Sequence, residues 1–216
     1  MDTVQTGAAG GAGAGPCRLV LVDARAHGAS GKPHSSNAYT LESCVGDVVA
    51  VLNTLGITKA HFWGYSRGGW IGFGMARYAA GRLDRLVIGG QHPYARSMVG
   101  LRQAVQAGLA HGVETFVAEM GMGEFKSEYA MRLRSTDMKA FLALAQDRPS
   151  LEDILPGIAV ACCLYCGEAD PMFAEAKTAS REIPGATFFS LPGLDHGETF
   201  VRSDLVVPHV KEFLRV

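Results

Sequence analysis

Apolar residues fall into short runs alternating with stretches at helical spacing. Arg18–Val22, Lys59–Tyr65, Leu83–Gly89, Ile158–Cys166 and Thr187–Leu191 are each short, apolar and bounded by turn formers, and each predicts a strand. Between them, Leu41, Val45, Val48, Leu52 and Leu55 recur on one helical face, with Thr40 placed to cap the start and Gly56 to stop the end. Further helices are predicted over Gly69–Ala80, about Ala174–Ile183 and about Val207–Leu214, the last with Pro208 admissible only in its first turn. Five strands alternating with helices define an α/β chain whose mainly parallel sheet is covered by helices on both faces.

Two regions depart from this rhythm. Residues 1–16 are mostly Gly and Ala. They lack the basic start and apolar middle of a secretory leader, and no Gly-Lys-Ser/Thr follows to make a phosphate loop, so they predict a flexible tail. From Gln91 to about Ser150 the pattern gives short helices and no strand. Val99, Leu101, Val105 and Leu109 form one apolar set, and Val113, Phe116, Val117 and Met120 form another. Met98, Met120, Met122, Met131 and Met138 also lie here, suited either to ordinary helix packing or to an adaptable apolar pocket.

Composition narrows the possibilities. The 216 residues are 48% hydrophobic and 19% charged, as in a folded domain with a substantial core. A net charge of −1 without a basic block leaves no electrostatic footprint for nucleic acid or an anionic membrane. No apolar run is long enough to span a bilayer. Cys17, Cys44, Cys162, Cys163 and Cys166 are odd in number and irregularly spaced, which points to free thiols in a reducing compartment, the cytoplasm. Cys163 and Cys166 share the spacing of a redox or metal pair, but positions three apart on a strand face opposite sides, so both are expected as buried small hydrophobes. No clustered ligand set predicts a metal, and no cofactor is implied.

The candidate chemistry begins at Gly64-Tyr65-Ser66-Arg67-Gly68, which joins the Lys59–Tyr65 strand to the next helix. A serine hydroxyl becomes a useful nucleophile when a sharp turn exposes it beside a base. The following helix points free N–H groups toward any oxyanion formed there, the Arg67 N–H first. In a parallel sheet, reactive residues gather at the carboxyl ends of strands. Asp170 follows the Ile158–Cys166 strand and His196 follows the Thr187–Leu191 strand. With Ser66 they form the chain order Ser, Asp, His. In that arrangement His196 relays the Ser66 proton and Asp170 orients the imidazole. Glu168 is a rival acid, Asp195 is too close in sequence to orient His196 easily, and His27, His34 and His92 are rival histidines.

With Asp23-Ala-Arg-Ala-His27-Gly28-Ala-Ser30, Gly64–Gly69, Gly167-Glu168-Ala169-Asp170-Pro171 and Gly193-Leu194-Asp195-His196 in this order, the chain resembles the α/β-hydrolase superfamily over about residues 18–216. The resemblance implies a serine esterase or lactonase with Ser66, Asp170 and His196 as its triad. It implies a core of residues 17–90 and 151–216, and residues 91–150 as a small helical cap. Relatives with dehalogenase or epoxide hydrolase activity use an aspartate nucleophile, so Ser66 argues against those reactions.

The family also implies about three strands before Arg18 and a His-Gly loop that supplies a second oxyanion donor. Residues 1–16 lack the apolar β-formers for such a strand, which makes this a truncated α/β-hydrolase fold. Loss of one donor costs roughly 10²–10³ in kcat. One repair shifts the Arg18–Val22 strand to pair directly with Lys59–Tyr65, so that His27 and Gly28 replace the missing loop. A competing repair is a homodimer through the exposed sheet edge.

The expected reaction is hydrolysis of a small carboxylic ester or lactone, with a modest apolar acyl group, through an acyl-enzyme. Two alternatives stay open: a weakly active or inactive hydrolase-like protein used for binding or assembly, and a perhydrolase or C–C bond hydrolase using the same three residues.

Overall fold

The computed structural model describes residues 4–9, 17–120 and 134–216. Met122, Met131 and the centre of the Gly/Ala-rich stretch lie outside them. The chain divides into two compact units, one holding Val22–Cys44 and Ala95–Pro149, the other Gln5–Leu21, Val45–Tyr94 and Ser150–Val216.

The second unit carries the α/β core. Strands β3 (Ala60–Tyr65), β4 (Leu83–Gly89), β5 (Ala161–Gly167) and β6 (Thr187–Leu191) form a four-stranded sheet in the order β3-β4-β5-β6. Every neighbouring pair is parallel, with Gly64 opposite Ile88, Ile88 opposite Leu164 and Leu164 opposite Phe188. Leu86, Val87, Ile88 and Leu164 are fully buried. Consecutive buried positions mean that β4 and β5 are covered on both faces, which is why their sequences read as continuous apolar runs. Each such side chain contributes roughly 1.5–3 kcal/mol by leaving water. Between and after the strands run α2 (Arg67–Tyr78), a helix over Phe173–Glu182, a short one over His196–Val201 and a closing one over Ser203–Leu214.

The closing helix starts four residues before its expected position, and Pro208 is its sixth residue rather than part of its first turn. Proline there removes the hydrogen bond to the Asp204 carbonyl, at a cost of about 3 kcal/mol. The helix continues because Val206 and Val210, 3% and 1% exposed, anchor it in the core with Val87, Cys163 and Leu191. Cys163 belongs to that cluster, whereas Cys166 packs with Met172 and Ala176 on the other side of β5. The period of two therefore separates the two sulfurs, and none of the five cysteines is in a disulfide.

The sheet also departs from the sequence expectation. Strand β2 (Cys17–Val22) joins β1 (Val4–Ala9) in a separate two-stranded sheet and does not pair with β3. The shifted-strand repair is thereby overturned: among the described residues the main sheet has four strands, and β2 is not one of them. Pairing with a strand nearby in sequence closes a shorter loop than recruiting β3 and costs less chain entropy. Val4–Ala9 likewise differs from the tail expected over residues 1–16. Strand propensity depends on context, and ladder hydrogen bonds to β2 satisfy a backbone in which only Val4 and Thr6 are β-formers.

In the first unit, helices α3 (Val99–His111), α4 (Val113–Glu119) and α5 (Met138–Leu144) pack around Val105, Phe116 and Val117, all fully buried. Val99 and Leu109 are 49% and 43% exposed, so only part of their expected apolar set reaches this core. Asp137 caps α5 by accepting from the N–H groups of Lys139 and Ala140, and also bonds His34 Nε2 at 3.0 Å. A second cluster joins Ala26 and Tyr39 to Ala140, Ala143 and Leu144. Helix α1 (Leu41–Thr54) begins where expected, its first turn capped by Thr40 Oγ1, which accepts from the Ser43 N–H at 3.1 Å.

Candidate active site

Ser66 stands between the end of β3 and the start of α2, at φ 53° and ψ −111°. A non-glycine residue at positive φ costs of order 1–3 kcal/mol and persists only where its surroundings over-determine it. Here the Ser66 N–H donates to the Gly89 carbonyl at 2.8 Å, and the Ser66 carbonyl accepts from the Trp70 N–H at 3.0 Å. Gly64 makes the tight turn feasible, because a Cβ there would stand 2.2 Å from the Gly68 carbonyl oxygen. The two glycines of the motif are unequal, since a Cβ on Gly68 would meet nothing within 4 Å.

Asp170 follows β5 in a turn closed by its own N–H on the Gly167 carbonyl. Its side chain is fully buried. Oδ1 accepts from the Met172 N–H at 2.9 Å, and Oδ2 lies 2.7 Å from His196 Nδ1. Burial pushes the carboxyl upward, but the hydrogen bond and charge of His196, the Met172 N–H and the Cys166 thiol outweigh it and hold Asp170 below the usual carboxylate value.

His196 opens the Val201-ending helix, and its Nε2 lies 2.9 Å from Ser66 Oγ. Its backbone is set by a capping box: Asp195 Oδ1 accepts from the Glu198 N–H at 2.7 Å while Glu198 Oε2 accepts from the Asp195 N–H at 2.9 Å. Asp195 is thus the N-cap that starts the helix at His196. The letters Asp-His-Gly-Glu carry that signal in the sequence. Tyr65 adds a further tie, its hydroxyl donating to the His196 carbonyl at 2.7 Å while the two rings lie 5.1 Å apart. Burial, with the Asp170 charge next, pushes the Tyr65 phenol up, so it stays a neutral donor.

The structure therefore brings Ser66, His196 and Asp170 into one hydrogen-bonded line. The rivals have other partners. Glu168 accepts from Ser190 Oγ at 2.7 Å, His34 pairs with Asp137, His92 stacks on Tyr94, and His27 lies against Phe141 with Nδ1 3.2 Å from the Arg25 carbonyl.

The loop after β2 holds itself together. Ser30 Oγ donates to the Asp23 carbonyl at 2.6 Å, and Gly28, at φ 51°, passes so close to the Asp23 carboxylate that any Cβ would collide with it. Three N–H groups of the Ala26–Ala29 stretch are engaged locally: Ala26 on Gly31, His27 on Ala24 and Ala29 on Asp23. Among the described residues, the Gly28 N–H is the one in that stretch without an acceptor. Nor do three His, Cys, Asp or Glu side chains converge, among the described residues, as a metal ligand set would. No described helix is long and apolar enough to cross a membrane.

A parallel sheet with a serine at a strained strand-to-helix turn and an acid and a histidine after its later strands defines a class of protein. The model of the alpha/beta hydrolase fold family matches residues 16–148, and the chain belongs to that family. The match includes Ser66; Asp170 and His196 lie beyond it. The chain is 25% identical over 221 residues to a Bacillus subtilis protein carrying the provisional name 2-succinyl-6-hydroxy-2,4-cyclohexadiene-1-carboxylate synthase, covering 91% of this chain and 81% of that one. It is also 25% identical over 169 residues to 3-oxoadipate enol-lactonase 1 of Acinetobacter baylyi, covering 72% of this chain and 62% of the relative. Among solved structures, the enol-lactonase from Burkholderia xenovorans LB400 superposes with a TM-score of 0.80 at 25% identity, over 92% of this chain and 81% of that one. These relatives support a hydrolase activity.

Proposed function

We propose that this protein is a serine hydrolase that cleaves small carboxylic esters or lactones through an acyl-enzyme, with Ser66 as nucleophile. The observation that carries the reading is the line from Asp170 Oδ2 through His196 to Ser66 Oγ, with contacts of 2.7 and 2.9 Å. In the first half-reaction Ser66 Oγ attacks the carbonyl carbon while His196 Nε2 takes its proton. The carbonyl π electrons move to oxygen, and the Arg67 N–H at the start of α2 donates to that oxyanion. The oxyanion collapses, the bond to the alkoxide breaks, and the proton on Nε2 passes to the leaving oxygen. In the second half-reaction water takes the place of the serine hydroxyl and the same proton path returns Ser66. Asp170 keeps Nδ1 protonated, so that Nε2 is the base, and stabilises the imidazolium. No step needs a metal or cofactor.

Residues 91–150 are the small helical cap of this reading. The lactonase relatives support lactones beside open-chain esters as substrates. The test is hydrolysis of p-nitrophenyl acetate and of a small lactone by the parent and by Ser66→Ala. The variant should lose on the order of 10⁴–10⁶ in kcat; equal rates for the two proteins would end the reading.

The relative named as a synthase favours a second possibility, in which the same three residues serve a reaction other than ester cleavage. That reading gains if a phosphonate labels Ser66 while neither ester nor lactone is turned over.

A further inference from the structure

Gln91 lies two residues beyond β4, after a turn in which Gly90 adopts φ 54°. It is only 2% exposed, and both ends of its amide are in use. Nε2 donates to the Ser66 carbonyl at 3.0 Å, and Oε1 accepts from the His92 N–H at 3.0 Å. Its Cβ packs close to α2, since a Cβ on Gly69 would stand 2.8 Å from it. A buried amide fixed at three points is a stiff strut. Gly89 holds the N–H of Ser66 and Gln91 holds its carbonyl, so the end of β4 grips the nucleophile on both sides of its strained Cα.

The carbonyl of Ser66 and the N–H of Arg67 belong to one peptide unit. A trans peptide is planar, with its C=O and N–H pointing in opposite directions. Whatever fixes the carbonyl therefore aims the N–H. We infer that Gln91 is a positioning residue for the reaction: by holding the Ser66 carbonyl it aims the Arg67 N–H at the developing oxyanion. The Trp70 N–H also bonds that carbonyl, but it belongs to α2 itself and moves with the helix, whereas Gln91 ties the peptide to the sheet. The inference rests on the serine-hydrolase reading.

The experiment compares the parent, Ser66→Ala, Gln91→Met and Gln91→Glu on an ester and on the thionoester that differs only in its C=S. Met keeps the length and removes the donor. Glu places an acceptor-only carboxylate against the Ser66 carbonyl. Removal of an oxyanion donor costs about 10²–10³ in kcat, so misaiming one should cost about tenfold to a hundredfold. Gln91→Met should lose that in kcat with KM nearly unchanged, and Gln91→Glu should lose more. Sulfur is a weak acceptor, so the thionoester rate should fall several-fold less than the ester rate. A merely structural role would lower both rates alike. If Gln91→Met does not fold, Gln91→Asn keeps the amide one methylene short and the same split is read on it.

Equal losses on the two substrates, a change confined to KM, or variants that match the parent would overturn the role of Gln91 while leaving the hydrolase reading intact. A parent no faster than Ser66→Ala would remove both together.

Discussion

Leu19-Val20-Leu21-Val22 and Leu86-Val87-Ile88 are nearly the same string of aliphatic residues, yet their fates are opposite. Leu19, Leu21 and Val22 are 44%, 52% and 38% exposed, whereas Leu86, Val87 and Ile88 are at 0%. Strand β4 has parallel partners on both edges, and β2 has β1. Burial is thus decided by what surrounds a strand, not by its own hydrophobicity. The proposed chemistry follows the same division. Ser66, Asp170 and His196 all follow strands of the four-stranded sheet, and the backbones of Ser66 and His196 are held by distant parts of that unit, Gly89 and Gln91 for the first and Tyr65 for the second. The loop after β2 is tied mainly to itself, through Asp23, Ser30 and its own N–H groups.

The largest expected contrast sets an acid from each region against the other. Asp170→Asn should lower kcat on p-nitrophenyl acetate by about 10⁴, because the amide no longer selects the Nδ1–H tautomer of His196. Asp23→Asn keeps an acceptor for the Ala29 N–H and should stay within about twofold of the parent. Comparable losses from the two would erase the distinction between the regions.

Packing gives the next contrast. Leu164→Ala should cost about 2–5 kcal/mol in urea unfolding, by transfer and cavity terms together. Leu21→Ala, at a half-exposed site, should change stability by no more than about 0.5 kcal/mol. A large cost at Leu21 would mean that another surface covers it in solution.

The turn itself supplies a finer comparison. Gly64→Ala drives a methyl into the Gly68 carbonyl and should destabilise by about 1–3 kcal/mol. Gly68→Ala places its methyl in open space on a helix and should be neutral or stabilising by up to about 1 kcal/mol. Thermal unfolding of the two variants, with Ser66 labelling by a phosphonate as the readout of the turn, separates them.

The smallest effect is in pH dependence. The Asp170 carboxyl is held below its ordinary value, so as the solution is acidified the unfolded chain binds that proton before the folded one does. Its stabilising contribution is complete above the ordinary carboxylate value of about 3.9 and is lost as pH falls through the depressed folded value. Urea midpoints of the parent should therefore fall more steeply on acidification through that range than those of Asp170→Asn. Parallel curves would mean that the carboxyl is not held low in the fold.

Much of the core was legible because its signals are local. Leu83–Gly89 and Thr187–Leu191 are strands at the expected residues, since a short apolar run bounded by turns leaves few alternatives. The turn at Ser66 was legible because Gly64 is required where strand and helix nearly touch. What escaped was non-local or depended on a competing balance. Pro208 breaks helices in isolation, but Val206 and Val210 hold it inside one. Val4–Ala9 has only Val4 and Thr6 as β-formers, yet pairing with β2 makes it a strand. The role of Gln91 could not be read at all, because nothing in Gly-Gly-Gln-His indicates which distant carbonyl an amide will meet.

The sequence by itself determined the periodicities, the turn residues and the chain order Ser, Asp, His, because these follow from the side chain at each position and its near neighbours. Only the tertiary structure decided that β2 would pair with β1 instead of β3, which nitrogen of His196 faces which oxygen, and that a buried glutamine would hold the Ser66 carbonyl. Those outcomes depend on distances between residues far apart in the chain, which are set by the packing free energy of the whole fold and by no single segment.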